Sequence, residues 1–334
     1  MAEVNEIPLT PILVVGFNRP DLLEKSLDKL RDQRRRIYIS IDGPRNSTEL
    51  LIVERCKYIV SDFKRNHKYG SVALQFHTEN LGCKAGVISA INWAFQTENR
   101  LIILEDDVDF GNEFLKYCDE GLLAFAESNQ IWHLAGWTPL HNLRAHPAVY
   151  MNRYPHIWGW ATWKDRWERY DAGLISWNGQ LASTMQTNRQ SKVPRGFDAY
   201  WGELFQQVYE NKLDTWDVQW LFSMWKNGGV SLSPGLSLTK NLGFDSRATH
   251  TKELPINLYK KQRDSLMSDF DNFPHNWAYE MNYVDTTFRW DRYHEEIAFF
   301  MPYDPMNLRY ATQMILRFCK LEKVARKIYR KLIE

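Results

Sequence analysis

Hydrophobic and polar positions in the first third of the chain switch regularly between two periods. An apolar run from Pro11 to Phe17 gives way after Pro20 to Leu23, Leu27 and Leu30 at helical spacing, and then to Ile37-Tyr38-Ile39-Ser40-Ile41. Spacing of three to four residues marks one face of a helix, and a short apolar run bounded by turn residues marks a strand covered on both sides. The unit recurs as a helix around Leu51 to Phe63, a strand Val72-Ala73-Leu74-Gln75-Phe76, a helix with Val87, Ile88, Ile91, Ala94 and Phe95 on one face, and a fourth strand from Leu101 to Leu104. This alternation predicts an α/β fold with a doubly wound, mostly parallel sheet, in which ligands bind outside the carboxyl ends of the strands. At those ends stand Asn18-Arg19, Asp42-Gly43-Pro44, Asn80-Leu81-Gly82 and Glu105-Asp106-Asp107, so polar groups converge on one edge. Taken singly, Asn18 and Asp42 are also ordinary turn or N-cap residues.

The fourth strand runs straight into three consecutive carboxylates, with Asp109 two positions later. Acids this close repel one another unless a cation or a set of hydrogen-bond donors offsets their charge. A hard divalent ion, Mn2+ or Mg2+, suits them, because such ions take oxygen ligands and bridge one or two protein carboxylates to a substrate's phosphates. An isolated acidic triplet is otherwise a solvated turn. An EF-hand register started at Asp106 puts Val108 at the third loop position and fails. An aspartyl-nucleophile phosphatase wants its acids after the first strand, where this chain has Gly16-Phe17-Asn18-Arg19. No G-x-G-x-x-G or G-x-x-x-x-G-K-[ST] lies at these turns, which argues against a dinucleotide dehydrogenase or a P-loop enzyme.

Composition narrows the field further. With 334 residues, 44% of them hydrophobic, the chain can bury a large core, and 42 basic against 41 acidic residues offer no global attraction to nucleic acid. The Arg34-Arg35-Arg36 run reads as a solvated turn. Cys56, Cys83, Cys118 and Cys319 have no metal-ligand spacing and point to a reducing compartment. The acidic N-terminus lacks an apolar signal region and no stretch is long enough to span a membrane, so a soluble, cytoplasmic protein is expected. Aromatic residues make up 14%, including 14 Trp, and serve either as core or as platforms for sugar rings.

Beyond Phe110 the alternation weakens into aromatic-rich loops, Trp132 to Trp137 and His156 to Trp163. The expected organisation is an α/β half over 1–110, a second half over 111–255 continuous with it, and an extension over 256–334. Within the extension, 309–332 is expected to form a basic amphipathic helix with Met314, Phe318, Leu321, Ala325 and Ile328 on its apolar face. Such a helix either lies on an anionic membrane or packs on the domain with its cationic face in water.

Taken in order, N-R-P at Asn18, S-I-D-G-P, N-L-G, E-D-D-V, W-G-W-A-T-W-K-D-R-W, D-T-W-D-V-Q-W and N-L-G-F-D-S-R-A-T-H-T resemble bacterial GT-A-type glycosyltransferases of surface polysaccharide biosynthesis. The resemblance covers residues 11–251, and the chain is more distantly similar to the N-acetylglucosaminyltransferase I group, which shares the acidic triplet. It implies a GT-A-like fold, a nucleotide-sugar donor such as a UDP-sugar, a divalent metal, and a saccharide or lipid-linked saccharide acceptor in cell-envelope glycan assembly. If the expected 309–332 helix lies on a membrane, it would bring the protein to the inner face of the cytoplasmic membrane and a lipid-linked acceptor. Carried over by residue, it implies that Asp107 ligates the metal, Asp106 meets ribose or the metal's water shell, and Glu105 lies near the donor sugar. Asn18, Arg19 and Asp42 would hold the nucleotide, and His250 would serve the metal or the diphosphate. Asn241, Gly243 and Asp245 would form a loop over the donor.

Inverting transfer needs a carboxylate opposite the leaving group to take the acceptor's proton. Asp217, between tryptophans that would partly desolvate it, is the expected base, and Asp214 is its rival. The two would share a face if both lay on one helix. Trp158, Gly159 and Trp160 are the expected sugar-facing group, with core packing as the plainer role. A sugar-nucleotide nucleotidyltransferase would want a longer Gly-rich loop after strand one, and a non-catalytic carbohydrate-binding protein would not need the acidic triplet together with a distant carboxylate.

Overall fold

The computed structural model describes residues 8–138, 148–181, 197–243, 278 and 284–285. The opening elements follow the sequence pattern: β1 (Ile12–Gly16), α1 (Pro20–Asp28), β2 (Ile37–Ile41), α2 (Ser47–Asn66), β3 (Val72–Phe76), α3 (Gly82–Ala94) and β4 (Arg100–Glu105). Pro20 opens α1, where a missing N–H costs nothing, and the Asn46 side chain caps α2 by accepting from Thr48 N and Glu49 N. There follow β5 (Val108–Phe110), α4 (Asn112–Ala124), β6 (Ile131–Ala135), β7 (Val149–Asn152), β8 (Trp160–Trp163), α5 (Lys164–Trp167), α6 (Phe197–Tyr209), α7 (Asp217–Lys226), β9 (Val230–Pro234), β10 (Thr239–Asn241) and β11 (Val284–Asp285).

Among the described residues the strands form a nine-stranded, mostly parallel sheet of order β11-β7-β9-β6-β8-β4-β1-β2-β3, with a separate β10-β5 ribbon. β1 pairs in parallel with β2 on one side and β4 on the other, so the direction of winding reverses between β1 and β4. That reversal leaves a crevice at the carboxyl ends of these two strands. β8 runs antiparallel between β4 and β6. The sheet therefore passes without a break across residue 110.

Strand residues divide between two cores with a period of two. Ile12, Val14, Ile37, Ile39, Ile102 and Leu104 pack with α1, α2 and α4, while Leu13, Tyr38, Leu101 and Ile103 pack with α3 and with Trp160, Trp167, Trp216 and Trp220. Successive side chains point to opposite faces, and both faces here are covered. A third cluster joins α6 to α7 through Phe205, Phe222 and Trp225. Among the described residues no helix is long and apolar enough to cross a membrane.

Two expectations need correction. The segments expected as aromatic loops are central strands over Ile131–Ala135 and Trp160–Trp163, and all their positions are buried. Burial on both faces removes the polar alternation by which a strand announces itself. Arg35 is not part of a solvated turn: it is 5% exposed and forms a forked ion pair with Asp119, with N–O distances of 3.1 and 3.0 Å.

His133 sits in the tryptophan core, stacked on Trp160 at 5.0 Å. Its Nδ1 accepts from Trp220 Nε1 at 3.2 Å, and an indole N–H only donates, so Nε2 carries the proton given to the His156 carbonyl at 3.0 Å. Burial pushes the imidazole pKa from 6.5 down to about 3. The unfolded chain binds a proton that the fold refuses, so the stability this residue supplies is complete above pH 6.5 and is lost as pH falls toward 3. Urea denaturation between about pH 7 and pH 4 should show His133→Gln with a shallower acid slope than the parent. Equal slopes would contradict this arrangement.

Candidate functional site at the β1–β4 crevice

The crevice is closed at its floor by backbone. Asp106 N donates to Val15 O at 2.9 Å, and Phe17 N donates to Asp106 Oδ2 at 3.1 Å. Gly16 admits this approach: a Cβ there would lie 3.0 Å from Ile41 Cδ1 and 3.4 Å from Asp106 Oδ2. The Arg19 guanidinium, at the start of α1, pairs with Asp107 Oδ2. From the other side the β5–β10 ribbon, in which Asn241 pairs with Val108, carries the chain back over Asp107. Leu242 N donates to Asp107 O at 2.7 Å, and a Cβ on Gly243 would collide with the Asp107 carboxylate. The expected donor loop thus reaches the acidic triplet through Asn241 and Gly243. Asp245 and His250 lie outside the described residues, as does the segment 309–332 expected as a helix.

Charge in this crevice is poorly offset. Burial, followed by the neighbouring Asp107 and Asp106 carboxylates and then Asp217, raises the Glu105 pKa well above the usual carboxylate range. Asp106 is raised by burial and Asp107, while Arg19 and the Phe17 N–H act in the opposite direction. Both groups resist ionisation chiefly because they are buried, and further because negative charge outweighs positive beside them. Among the described residues, no three His, Cys, Asp or Glu side chains are grouped to hold a metal ion by themselves. An ion here would draw the rest of its shell from water and substrate oxygens, as Mg2+ commonly does.

Asp217 opens α7 close enough to the crevice for its charge to act on Glu105, and also on Cys83 and Tyr170. Thr215 Oγ1 donates to its Oδ1. The preceding residue, Trp216, is stacked on Trp160 at 5.5 Å, and its carbonyl accepts from Tyr170 OH at 3.0 Å. The tryptophan core therefore sets where the first turn of α7 points. Asp214 precedes the helix, so the two acids do not share a helical face, and the cap position belongs to Trp216. Its Oδ2 lies 3.5 Å from where a Gly82 Cβ would be, which places Asp214 beside the β3–α3 turn.

Asp42 organises that turn. Its carboxylate accepts from Gly43 N at 2.8 Å, Leu81 N at 2.9 Å, Gly82 N at 3.2 Å and Asn80 Nδ2 at 2.9 Å. It clamps the carboxyl end of β2 to the start of α3. Gly43 has to be glycine, because a Cβ there would collide with the Glu79 backbone carbonyl. Gly43→Ala should cost about 1–3 kcal/mol through forced backbone displacement, readable as a lower urea midpoint at unchanged slope. Asn18 points toward α2, where its Nδ2 donates to Glu49 Oε1 at 3.2 Å.

The aromatic group separates into two kinds. Trp160 is 1% exposed between His133 and Trp216, a core residue with no surface for a ligand. Gly159, at φ +76°, packs where a Cβ would meet Thr239 Cγ2 at 2.8 Å. Trp158 is half-buried and meets Trp137 edge to face at 4.7 Å, and His156 meets Trp137 at 4.9 Å. Ile103 pairs with Trp160 and Trp160 with Ala135, while Gly136 N donates to Gly159 O, so Trp158 and Trp137 stand at the same sheet edge as Glu105. Trp137 is 9% exposed, and its buried indole N–H meets no acceptor among the described residues. Trp137, Tyr170 and Cys83 were not foreseen. Only the position of Trp137 just after an apolar run could have marked it.

The fold and the crevice define an α/β protein with an acidic site at its topological switch point. A scan of protein-family models finds no match to the chain, and a search of curated proteins finds none either.

Proposed function

We propose that the chain is a metal-dependent, inverting glycosyltransferase of GT-A-like architecture that moves a sugar from a nucleotide diphosphate donor, a UDP-sugar by the resemblance, onto a saccharide acceptor. The observation that carries this reading is the meeting of Asp106, Asp107 and Arg19 at the switch point with Asp217 on the facing helix. Asp107, with Asp106 beside it, would hold Mn2+ or Mg2+, and the surplus of buried carboxylate over one guanidinium fits a cation there. Bound, the ion supplies charge neutralisation to the departing diphosphate.

The chain's own groups account for the rest. Arg19 offers a second positive charge to the phosphates. Asn18 and the turn clamped by Asp42 border the space for the nucleotide, and Glu105 borders that for the donor sugar. Asp217 takes the acceptor hydroxyl proton as that oxygen attacks the anomeric carbon in line, while the diphosphate leaves from the opposite face. Half-buried Trp158, held edge to face by Trp137, offers an apolar face to a sugar ring. Cell-envelope polysaccharide assembly at the inner face of the cytoplasmic membrane, with a free or lipid-linked acceptor, is the setting this reading proposes, with His250 serving the phosphates.

Mass-spectrometric screening of sugar nucleotides for metal-dependent release of nucleoside diphosphate tests the proposal. Turnover of one donor class with Mn2+ and none with chelator is expected. No turnover or binding of any donor would defeat it.

A further inference from the structure

Beyond the β3 edge of the sheet, a groove of about 570 Å3 runs along α3 from Leu81 down to Gln96. Its upper end is the turn clamped by Asp42, so it leads away from the crevice across the surface. Its polar lining comes from amides, a hydroxyl and one ammonium, Lys84, with no carboxylate. Asn92 is oriented unambiguously: Trp167 Nε1 donates to its Oδ1 at 2.8 Å, so its amide N–H groups are left for the groove. Gln75 has its Oε1 engaged by Ser40 Oγ at 3.0 Å and presents its N–H groups in the same way. Trp93 adds a ring fixed edge-on against Tyr38 at 5.2 Å.

A fixed indole beside outward-facing amide donors suits sugar rings, which offer apolar C–H faces and many acceptor oxygens. A lone cation without a carboxylate among the lining residues favours acidic sugars. We propose that this groove binds an acidic oligosaccharide, a stretch of the glycan chain beyond the unit processed at the strand ends. The assignment to a growing glycan rests on the glycosyltransferase reading, whereas the groove's chemistry does not.

Calorimetric titration of the full chain with tetragalacturonate and with maltotetraose tests it, with and without Mn2+ and UDP. Tetragalacturonate should bind about fivefold tighter than the neutral sugar, Lys84→Ala should abolish that preference, and Gln96→Ala should weaken both. Asp107→Ala should leave this binding unchanged. Absence of binding, or binding indifferent to Lys84 and Gln96, overturns the proposal, as does self-association of the chain through this face that displaces the sugar. If UDP and Mn2+ bind while neither oligosaccharide does, the groove assignment alone fails. If tetragalacturonate binds through Lys84 and no sugar nucleotide is used, the groove stands and the enzymatic reading falls.

Discussion

Asp217→Asn should lower kcat by about 10²- to 10⁴-fold while leaving affinity for the nucleotide diphosphate within about twofold of the parent, the range ascribed to loss of a positioned general base. Asparagine keeps the shape and can still accept from Thr215 Oγ1, so the first turn of α7 should hold. What it loses is the capacity to take a proton. The substitution also removes one of the charges that press on Glu105, so the folded state should not suffer at neutral pH. Asp214→Asn offers the contrast. Asp214 borders the β3–α3 turn outside the helix, and its loss should affect donor affinity more than the chemical step. Steady-state kinetics on both variants would separate the roles, and equal losses of kcat would assign the proton to neither.

Asp107→Ala should abolish metal-dependent stabilisation by nucleoside diphosphate. For a ligand at 100 times its Kd that stabilisation amounts to about 2.7 kcal/mol, visible as a shift in Tm. The variant without ligand should be no less stable than the parent, because Asp107 is a leading cause of the raised Glu105 and Asp106 pKa values. Arg19 keeps a partner in Asp106, on which its charge already acts. A variant that lost ligand response and intrinsic stability together would point to a structural ion pair instead of a ligand site.

The half of the sheet from β1 to β4 was legible because its connections are short and each strand is bounded by turn residues. Ile12, Leu13 and Val14 fall alternately into two cores, which an unbroken apolar run between helices already implies. The placing of the acidic triplet at the carboxyl edge of the sheet was legible because Glu105 ends such a strand and Asp106 and Asp107 follow it. The other half was hidden for a physical reason. Trp132, Trp160 and Trp163 are buried within strands but look in sequence like ligand-facing aromatics, and no polar alternation distinguishes the two. Pairing across long separations was also out of reach. Arg35 meets Asp119 across 84 residues, and Arg19 meets Asp107 across 88. Asp42 shows a subtler loss: sequence marked it as a nucleotide ligand, whereas its oxygens are already occupied by the turn that opens α3.

The most direct measurement is isothermal titration of the full chain with UDP in the presence of Mn2+, repeated with chelator and on Asp107→Ala. Saturable binding that requires both the ion and Asp107 is the expected result. Binding of equal strength without Mn2+, or undiminished in Asp107→Ala, would contradict the claim that the carboxylates ending β4 hold a cation that in turn holds a diphosphate.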